Sequence, residues 1–151
     1  MEPANTQRTA GPSAGLAPAP RAVIKQFEFL PVWNGLSRHQ GTIYRWEIFS
    51  GDERIGVYIG KTDQKKPKRR VRRYRWRVDC LQRGEPYSDA EPDGYRKVHR
   101  ALEAALHHGH RIVLTALSAA QPGLSLDELE SRFIREHDSY GPAPHQLNEK
   151  P

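Results

Sequence analysis

Two runs of apolar, β-branched and aromatic residues in the first half of the chain predict a pair of β-strands. The first run, GTIYRWEIF at residues 41–49, alternates only imperfectly between apolar and polar positions, and IGVYIG at 55–60 follows it after the turn sequence SGDER. Glycine and aspartate favour tight turns because both tolerate backbone conformations that other residues avoid. We therefore predict an antiparallel hairpin over residues 41–60, whose second strand ends at Gly60.

Three helices are predicted from apolar residues that recur at steps of three and four. The first extends from Pro67, which suits a first helical turn, to about Arg83. The second ends at Gly109, and the third opens with a capping box of Ser125 and Glu128. The apolar stripes of the three helices are Val71, Tyr74, Val78 and Leu81; Tyr95, Val98, Leu102, Ala105 and Leu106; and Leu126, Leu129 and Phe133.

The order of these elements predicts the fold class. RIVLTAL at 111–117 predicts a third strand, and VIKQFEFL at 23–30 predicts either a lead-in strand or a short helix. The order β-β-α-α-β-α is typical of an α+β domain, with a small three-stranded antiparallel-type sheet flanked by helices. Residues 1–23 are rich in Ala and Pro with almost no large apolar side chains, so we predict a disordered segment there and a single domain at 24–151.

The positive charge of the chain is concentrated in one segment. Residues 61–83 contain eleven Lys and Arg against two Asp, a net charge of +9, whereas the whole chain carries +6. A positive stripe on a nearly neutral body is typical of a protein that binds a polyanion such as nucleic acid. We predict that basic side chains of the first helix contact DNA: Lys68, Arg69, Arg72, Arg73 and Arg77.

Cysteine content and hydropathy indicate the cellular compartment. Cys80 is the only cysteine of the 151 residues, so no intramolecular disulfide can form, as is usual in a reducing compartment. No apolar run is long enough to cross a bilayer, and the N-terminus lacks the apolar core of a signal peptide. We predict a cytoplasmic protein with no membrane partner.

One carboxylate on the third predicted helix occupies an unusual position. Glu130 follows Leu129 and lies three residues before Phe133, so it projects from the same side as the buried stripe. A carboxylate among core positions costs several kcal/mol unless it gains a partner or a cation. Two interpretations stay open: a structural ion pair with an arginine, or a metal ligand or acid–base group that faces a cleft.

Other polar candidates lie on the hairpin and the basic helix. Arg70 flanks the buried side of its helix and is the arginine best placed to reach the sheet. Tyr44 and Tyr58 lie on the two arms of the hairpin, where cross-strand neighbours meet, although core packing is the better explanation for either tyrosine taken alone. A cation such as Lys61 or Arg70 beside Tyr58 would lower the phenol pKa from about 10 and make it a proton acceptor for water.

Five short motifs in this order resemble those of the GIY-YIG nuclease superfamily. They are TIY at 42–44, YIG at 58–60 followed by Lys61, RVRRY from Arg70, ESRFI from Glu130, and LN at 147–148. The first motif departs from the family because it has Thr42 where glycine is usual. The interval between Gly60 and Arg70 is slightly longer than usual, so Arg69 remains the alternative site arginine.

The resemblance implies an endonuclease that hydrolyses DNA phosphodiester bonds with one divalent metal ion, Mg²⁺ or Mn²⁺. By this resemblance Glu130 holds the metal, and Arg70 holds a phosphate oxygen with its planar fork. Tyr58 takes the proton of the attacking water with help from Lys61, Tyr44 orients the water or the phosphate, and Asn148 braces the site. Gly60 would let the chain turn without a side chain that blocks the phosphate.

Two alternatives to the nuclease interpretation remain open. The chain is compatible with a catalytically inactive nucleic-acid-binding module of the same fold, because the first motif is altered and the helix is strongly basic. A structural domain whose basic helix docks an acidic protein is the other alternative. A homodimer would suit cleavage of both DNA strands, but the sequence does not indicate an oligomeric state.

Overall fold

The computed structural model describes residues 27–32, 41–63 and 67–151, with side chains described from 41 to 63 and from 69 onward. The segment 1–23, for which disorder was predicted, lies outside the described residues. In chain order the elements are β1 (Phe27–Val32), β2 (Thr42–Ser50), β3 (Glu53–Thr62), α1 (Pro67–Gln82), α2 (Lys97–His107), β4 (Arg111–Ala119) and α3 (Leu126–Glu136). The predicted α+β class is confirmed, as is the order β-β-α-α-β-α from β2 onward.

The strands form one four-stranded sheet in the order β1-β4-β2-β3. The three predicted strands are the antiparallel part of this sheet, since β2 pairs antiparallel with both β3 and β4. The lead-in segment forms a strand, not a short helix, and β1 extends the sheet by pairing parallel with β4. In this order β1 lies at one edge of the sheet and β3 lies at the other.

Gly60 is a strand residue, so the prediction that the chain turns there is wrong. Strand β3 continues through Gly60 to Thr62, and Gly60 pairs with Tyr44 across the hairpin. A Cβ atom added at Gly60 would lie 2.4 Å from Cζ of Tyr44, closer than any real contact. Glycine is therefore required because the Tyr44 ring lies across the backbone at this point.

The sheet is covered by helices on both faces, which explains the imperfect alternation in β2. On one face, Tyr44, Trp46 and Ile48 join a buried cluster with side chains of α1 and α2. On the other face, Ile43 packs with Ile59 and with Leu129 and Ile134 of α3. A strand that is buried on both faces does not need polar residues at every second position.

The C-terminal segment covers the outer edge of β3. The backbone N–H of Val57 donates to the carbonyl oxygen of His145 at 2.9 Å, and that of Leu147 donates to the carbonyl oxygen of Val57 at 3.1 Å. The Asn148 side chain forms a pair of bonds with Ile59: its Oδ1 accepts from the backbone N–H, and its Nδ2 donates to the carbonyl oxygen, both at 2.9 Å. Backbone groups of an edge strand that would otherwise lack partners are thereby satisfied.

No helix among residues 41–63 and 67–151 has the length and apolar character needed to cross a bilayer.

We predict that Asn148→Ala destabilises the protein by about 2–4 kcal/mol, because it leaves a buried N–H and a buried C=O of Ile59 without partners. Urea unfolding followed by circular dichroism measures the loss. Glu149→Ala is the matched control, since Glu149 is the exposed next residue and its removal is expected to change stability by less than about 0.5 kcal/mol. Equal stability of the two variants would contradict the proposed bracing.

Candidate active site

A cleft of about 450 Å³ opens at the end of β3, where side chains from both helical layers meet. Strand β3 contributes Tyr58 and Lys61 to it, and α1 contributes Arg70. Helix α3 contributes Asp127 and Glu130, and Arg96 enters from the residue before α2. The remaining lining residues are Thr62, Asp63, Ser125 and Leu126. Four elements or their ends therefore converge on one cleft.

Three tyrosines form the wall behind the cleft. The hydroxyl groups of Tyr44 and Tyr74 are hydrogen-bonded at 2.9 Å, and the Tyr74 ring packs edge-on against Tyr44 and Tyr58 with centroids 6.2 and 6.3 Å apart. Tyr44 and Tyr58 are not directly opposite in the hairpin, because Tyr44 pairs with Gly60 and Tyr58 with Trp46. They are diagonal neighbours on one face of the sheet, a distance that large aromatic rings can bridge.

Two half-buried guanidinium groups contact these phenols. Arg70 Nε donates to the Tyr44 hydroxyl oxygen at 3.4 Å, and an Arg96 terminal nitrogen donates to that of Tyr58 at 3.2 Å. Within the described part of the chain, neither arginine forms an ion pair with a carboxylate. Arg69, the alternative from the sequence, is exposed and does not line the cleft. The geometry therefore favours Arg70 as the site arginine.

The expected lowering of the Tyr58 pKa is not found in the free protein. Burial of the phenol raises its pKa well above 10, the neighbouring Tyr74 raises it further, and Arg96 opposes both effects only in part. Lys61 is not the cation beside Tyr58, because successive strand residues face opposite sides of the sheet and Lys61 contacts α3 instead. Burial likewise raises the pKa of Tyr44, so both groups are neutral phenols at pH 7.

The opposite side of the cleft is an ion-pair cluster. The Lys61 ammonium donates to Glu130 Oε2 at 2.6 Å and also to Asp127 Oδ1. These two carboxylates raise the Lys61 pKa, and the largest single cause is the hydrogen bond to Asp127. The structural ion pair that the sequence left open for Glu130 is therefore formed with a lysine, not with an arginine. It faces the cleft, and about a fifth of the Glu130 side chain (19%) is exposed.

The acidic side of the cleft has the ligand chemistry that a divalent cation needs. Glu130 and Asp127 are hard oxygen donors one helical turn apart, and the ammonium group between them occupies a position that favours positive charge. Among the described residues, no three His, Cys, Asp or Glu side chains converge as a complete ligand set. Mg²⁺ commonly binds one or two carboxylates and completes its shell with water and phosphate oxygens, so these residues fit it.

The predicted site residues are brought together in part. Tyr58, Lys61, Arg70 and Glu130 line the cleft. Tyr44 lies behind it and is connected to it through Arg70. Asn148 does not line the cleft and acts on the backbone of Ile59. The sequence prediction missed Arg96, which precedes a helix without any diagnostic spacing, and Asp127, whose position three residues before Glu130 was an available signal.

The basic side chains predicted to bind DNA divide into two groups. Arg69 and Arg72 are exposed and line neither this cleft nor the one beside it. Arg73 and Arg77 line a second cleft, which shares Arg70 and Arg96 with the first. The side chain of Lys68 lies outside the described residues.

No protein-family model, curated protein or solved structure matches the chain. The resemblance to GIY-YIG nucleases therefore depends on the five motifs alone.

A buried histidine behind the tyrosines predicts a pH effect on stability. Burial lowers the pKa of His99 to about 4, and the neighbouring Arg96, Arg77, Arg70 and Arg100 add to this effect. The ring is packed among Tyr74, Tyr87 and Tyr95. Its Nδ1 accepts from the backbone N–H of Arg96 at 3.1 Å, which keeps the neutral ring in a capping box of α2.

We predict that the neutral His99 makes the protein less stable as the pH falls from about 6.5 to 4. In this window the unfolded chain, with a histidine pKa of about 6.5, binds a proton that the folded protein excludes. The loss between pH 7.5 and 5 is about 2 kcal/mol. His99→Gln keeps a capping acceptor without the titration, so urea unfolding should show a smaller loss over this range. Identical pH profiles for the two proteins would contradict the assignment.

Proposed function

We propose that this chain is a metal-dependent endonuclease of the GIY-YIG type, which hydrolyses DNA phosphodiester bonds. The observation that carries the proposal is the convergence of Tyr58, Arg70 and Glu130 on one cleft, although they lie on β3, α1 and α3. These are three of the residues for which the resemblance implies a catalytic role. A fold alone would not require them to share a solvent-accessible cleft.

The guanidinium side of the cleft would bind the scissile phosphate. Arg70 and Arg96 are cations without carboxylate partners among the described residues, and the phenols that they contact are neutral. Their charges are therefore available to an anion. A guanidinium group donates two parallel hydrogen bonds to phosphate oxygens, which fixes the orientation of the phosphate as well as its position.

The carboxylate side would hold the divalent cation. Glu130 is the proposed ligand. Asp127 contacts the same Lys61 ammonium group, so it lies close enough to Glu130 to assist it. Bound Mg²⁺ or Mn²⁺ supplies charge stabilisation to the pentacoordinate transition state and to the leaving oxygen.

The phenols would position the attacking water between these two sides. Tyr58 lines the cleft and is a neutral phenol in the free protein, so it can orient water by hydrogen bonding. Its deprotonation is favoured by Arg96 and opposed by burial and by the negative charge of Glu130. Burial is the largest of these effects and the Glu130 charge the smallest, so a cation at Glu130 would remove only a minor part of the opposition to deprotonation. Tyr44 holds Arg70 in place, and Asn148 holds the β3 backbone between Tyr58 and Gly60.

A catalytically inactive DNA-binding module is the second candidate. It is favoured by the raised pKa of Tyr58 and by the engagement of Lys61 with two carboxylates. It would bind DNA in a salt-dependent manner without cleaving it. For either candidate we propose DNA as the partner and the cytoplasm as the location.

We predict that Glu130→Gln lowers the rate of DNA cleavage by about a thousandfold or more, since metal charge stabilisation is worth several kcal/mol. Nicking of supercoiled plasmid in Mg²⁺ or Mn²⁺ measures the rate. Glu136→Gln is the control, because Glu136 lies on the same helix in a surface ion pair with Arg132. Equal cleavage by the wild-type and Glu130→Gln proteins would refute the nuclease proposal. Salt-dependent binding without cleavage by any variant would favour the inactive module.

We predict that Arg70→Ala slows DNA cleavage more than Arg69→Ala does. This difference would distinguish the two arginines that the sequence left as alternatives. Loss of a preorganised donor to the transition state typically costs about a hundredfold or more in rate, so Arg70→Ala is expected to lose that much. Arg69→Ala removes an exposed charge and is expected to lose less than about tenfold. Single-turnover cleavage at saturating enzyme measures the chemical step apart from binding. A larger loss in Arg69→Ala would reverse the assignment.

A further inference from the structure

A second cleft of about 320 Å³ lies beside the candidate active site and shares two of its residues. Arg70 and Arg96 line both clefts, so the two clefts adjoin at these guanidinium groups. The second cleft extends along α1 to Arg73 and Arg77 and is bounded by Tyr87 on the loop that precedes α2. We refer to this extension as the arginine groove.

The arginine groove follows one face of helix α1. Arg70, Arg73 and Arg77 are spaced by three and four residues, which places them on the same side of a helix. Arg69 comes one position before Arg70, and Arg72 comes one position before Arg73. Neither of them lines the groove. The arginines predicted to contact DNA are therefore divided into those that line the groove, Arg73 and Arg77, and those that do not, Arg69 and Arg72.

The groove has positive charge, and no acidic side chain of the described residues is part of its lining. Four arginines line it, and its other lining residues are Tyr74, Tyr87 and His99. Burial keeps His99 neutral at pH 7, so it neither adds to nor removes charge. A concave surface lined by one sign of charge concentrates ions of the opposite sign.

One arginine of the groove is held rigidly by its neighbours. The Arg77 guanidinium carbon lies 3.6 Å from the ring centroid of Tyr87 and 4.5 Å from that of Trp76. One of its terminal nitrogens also donates to the Tyr87 carbonyl oxygen at 2.6 Å. Trp76 is 52% exposed, which leaves a large aromatic surface beside the groove. Such a surface can stack on a nucleic-acid base.

We propose that the arginine groove binds the phosphodiester backbone of one DNA strand on one side of the scissile phosphate. The strand would extend from the cleft at Arg70 and Arg96 along Arg73 to Arg77, with a base against Trp76. The interval of seven positions from Arg70 to Arg77 spans about 10 Å of helix, which equals the rise of about three nucleotides along the axis of B-form DNA. This inference depends on the proposed function for the identity of the polyanion, but it concerns binding and not cleavage.

The test uses the full chain with Glu130→Gln, so that DNA is bound and not cut. Fluorescence anisotropy with a labelled duplex is measured at several salt concentrations for added Arg73→Ala and Arg72→Ala substitutions. Arg73 is preferred to Arg77 because Arg77 donates a structural hydrogen bond to the Tyr87 carbonyl oxygen, and Arg73 makes no comparable bond within the described part of the chain. Circular dichroism and urea unfolding verify that each variant is folded.

Arg73→Ala is expected to weaken binding about tenfold and to reduce the slope of log affinity against log salt by about one. Arg72→Ala is expected to weaken binding by less than about threefold. Equal effects of the two substitutions would overturn the proposal. Displacement of the DNA by polyglutamate at the same charge concentration would also overturn it, in favour of an acidic protein partner.

Failure of the groove and failure of the proposed function give different results. If the wild-type protein cleaves DNA but Arg73→Ala and Arg72→Ala bind it equally, only the groove proposal is overturned. If the wild-type protein never cleaves DNA but its binding depends on Arg73, the groove proposal is supported and the nuclease proposal fails.

Discussion

The half-buried guanidinium groups of Arg70 and Arg96 hydrogen-bond to phenol oxygens instead of carboxylates. Removal of a cation from water costs free energy. A carboxylate partner would offset that cost, but it would also cancel the positive charge. The hydroxyl groups of Tyr44 and Tyr58 accept hydrogen bonds and remain neutral because burial raises the pKa of both. The positive charge is therefore held in place and still available to an anion. The proposed phosphate site and the groove beside it both depend on this arrangement.

The position of β3 at the edge of the sheet makes the cleft possible. Tyr58 lies on the face covered by α1 and α2, whereas Lys61 contacts α3 on the opposite face. In an interior strand these side chains would be separated by the sheet, but at the end of an edge strand one cleft reaches both. The C-terminal segment completes the arrangement, because Asn148 satisfies the backbone of Ile59 and excludes a further strand at that point.

Local patterns in the sequence predicted the helices and strands. The features that were not predicted depend on contacts between residues far apart in the chain. The three- and four-residue steps and the capping box placed α1, α2 and α3 to within a few residues, and the motifs identified Tyr58, Arg70 and Glu130. The role of Gly60 was not predictable, because it arises from the Tyr44 ring on the opposite strand. Arg96 and the partner of Lys61 were missed for the same reason, since each contact joins residues far apart in the chain. The Tyr58 pKa was misjudged because sequence shows nearby charges but not burial.

Lys61 connects the charge states of the two sides of the cleft. Its ammonium group bridges Asp127 and Glu130, so the free protein offsets one of the two negative charges on its acidic side. Lys61 can turn toward the proposed phosphate only when another cation compensates these carboxylates. Without that cation, the negative charges of Asp127 and Glu130 would repel each other. The same compensation removes the charge of Glu130 that raises the Tyr58 pKa. Compensation of the acidic side would therefore free the Lys61 ammonium for the proposed phosphate, whereas the Tyr58 pKa would stay raised because burial is its largest cause.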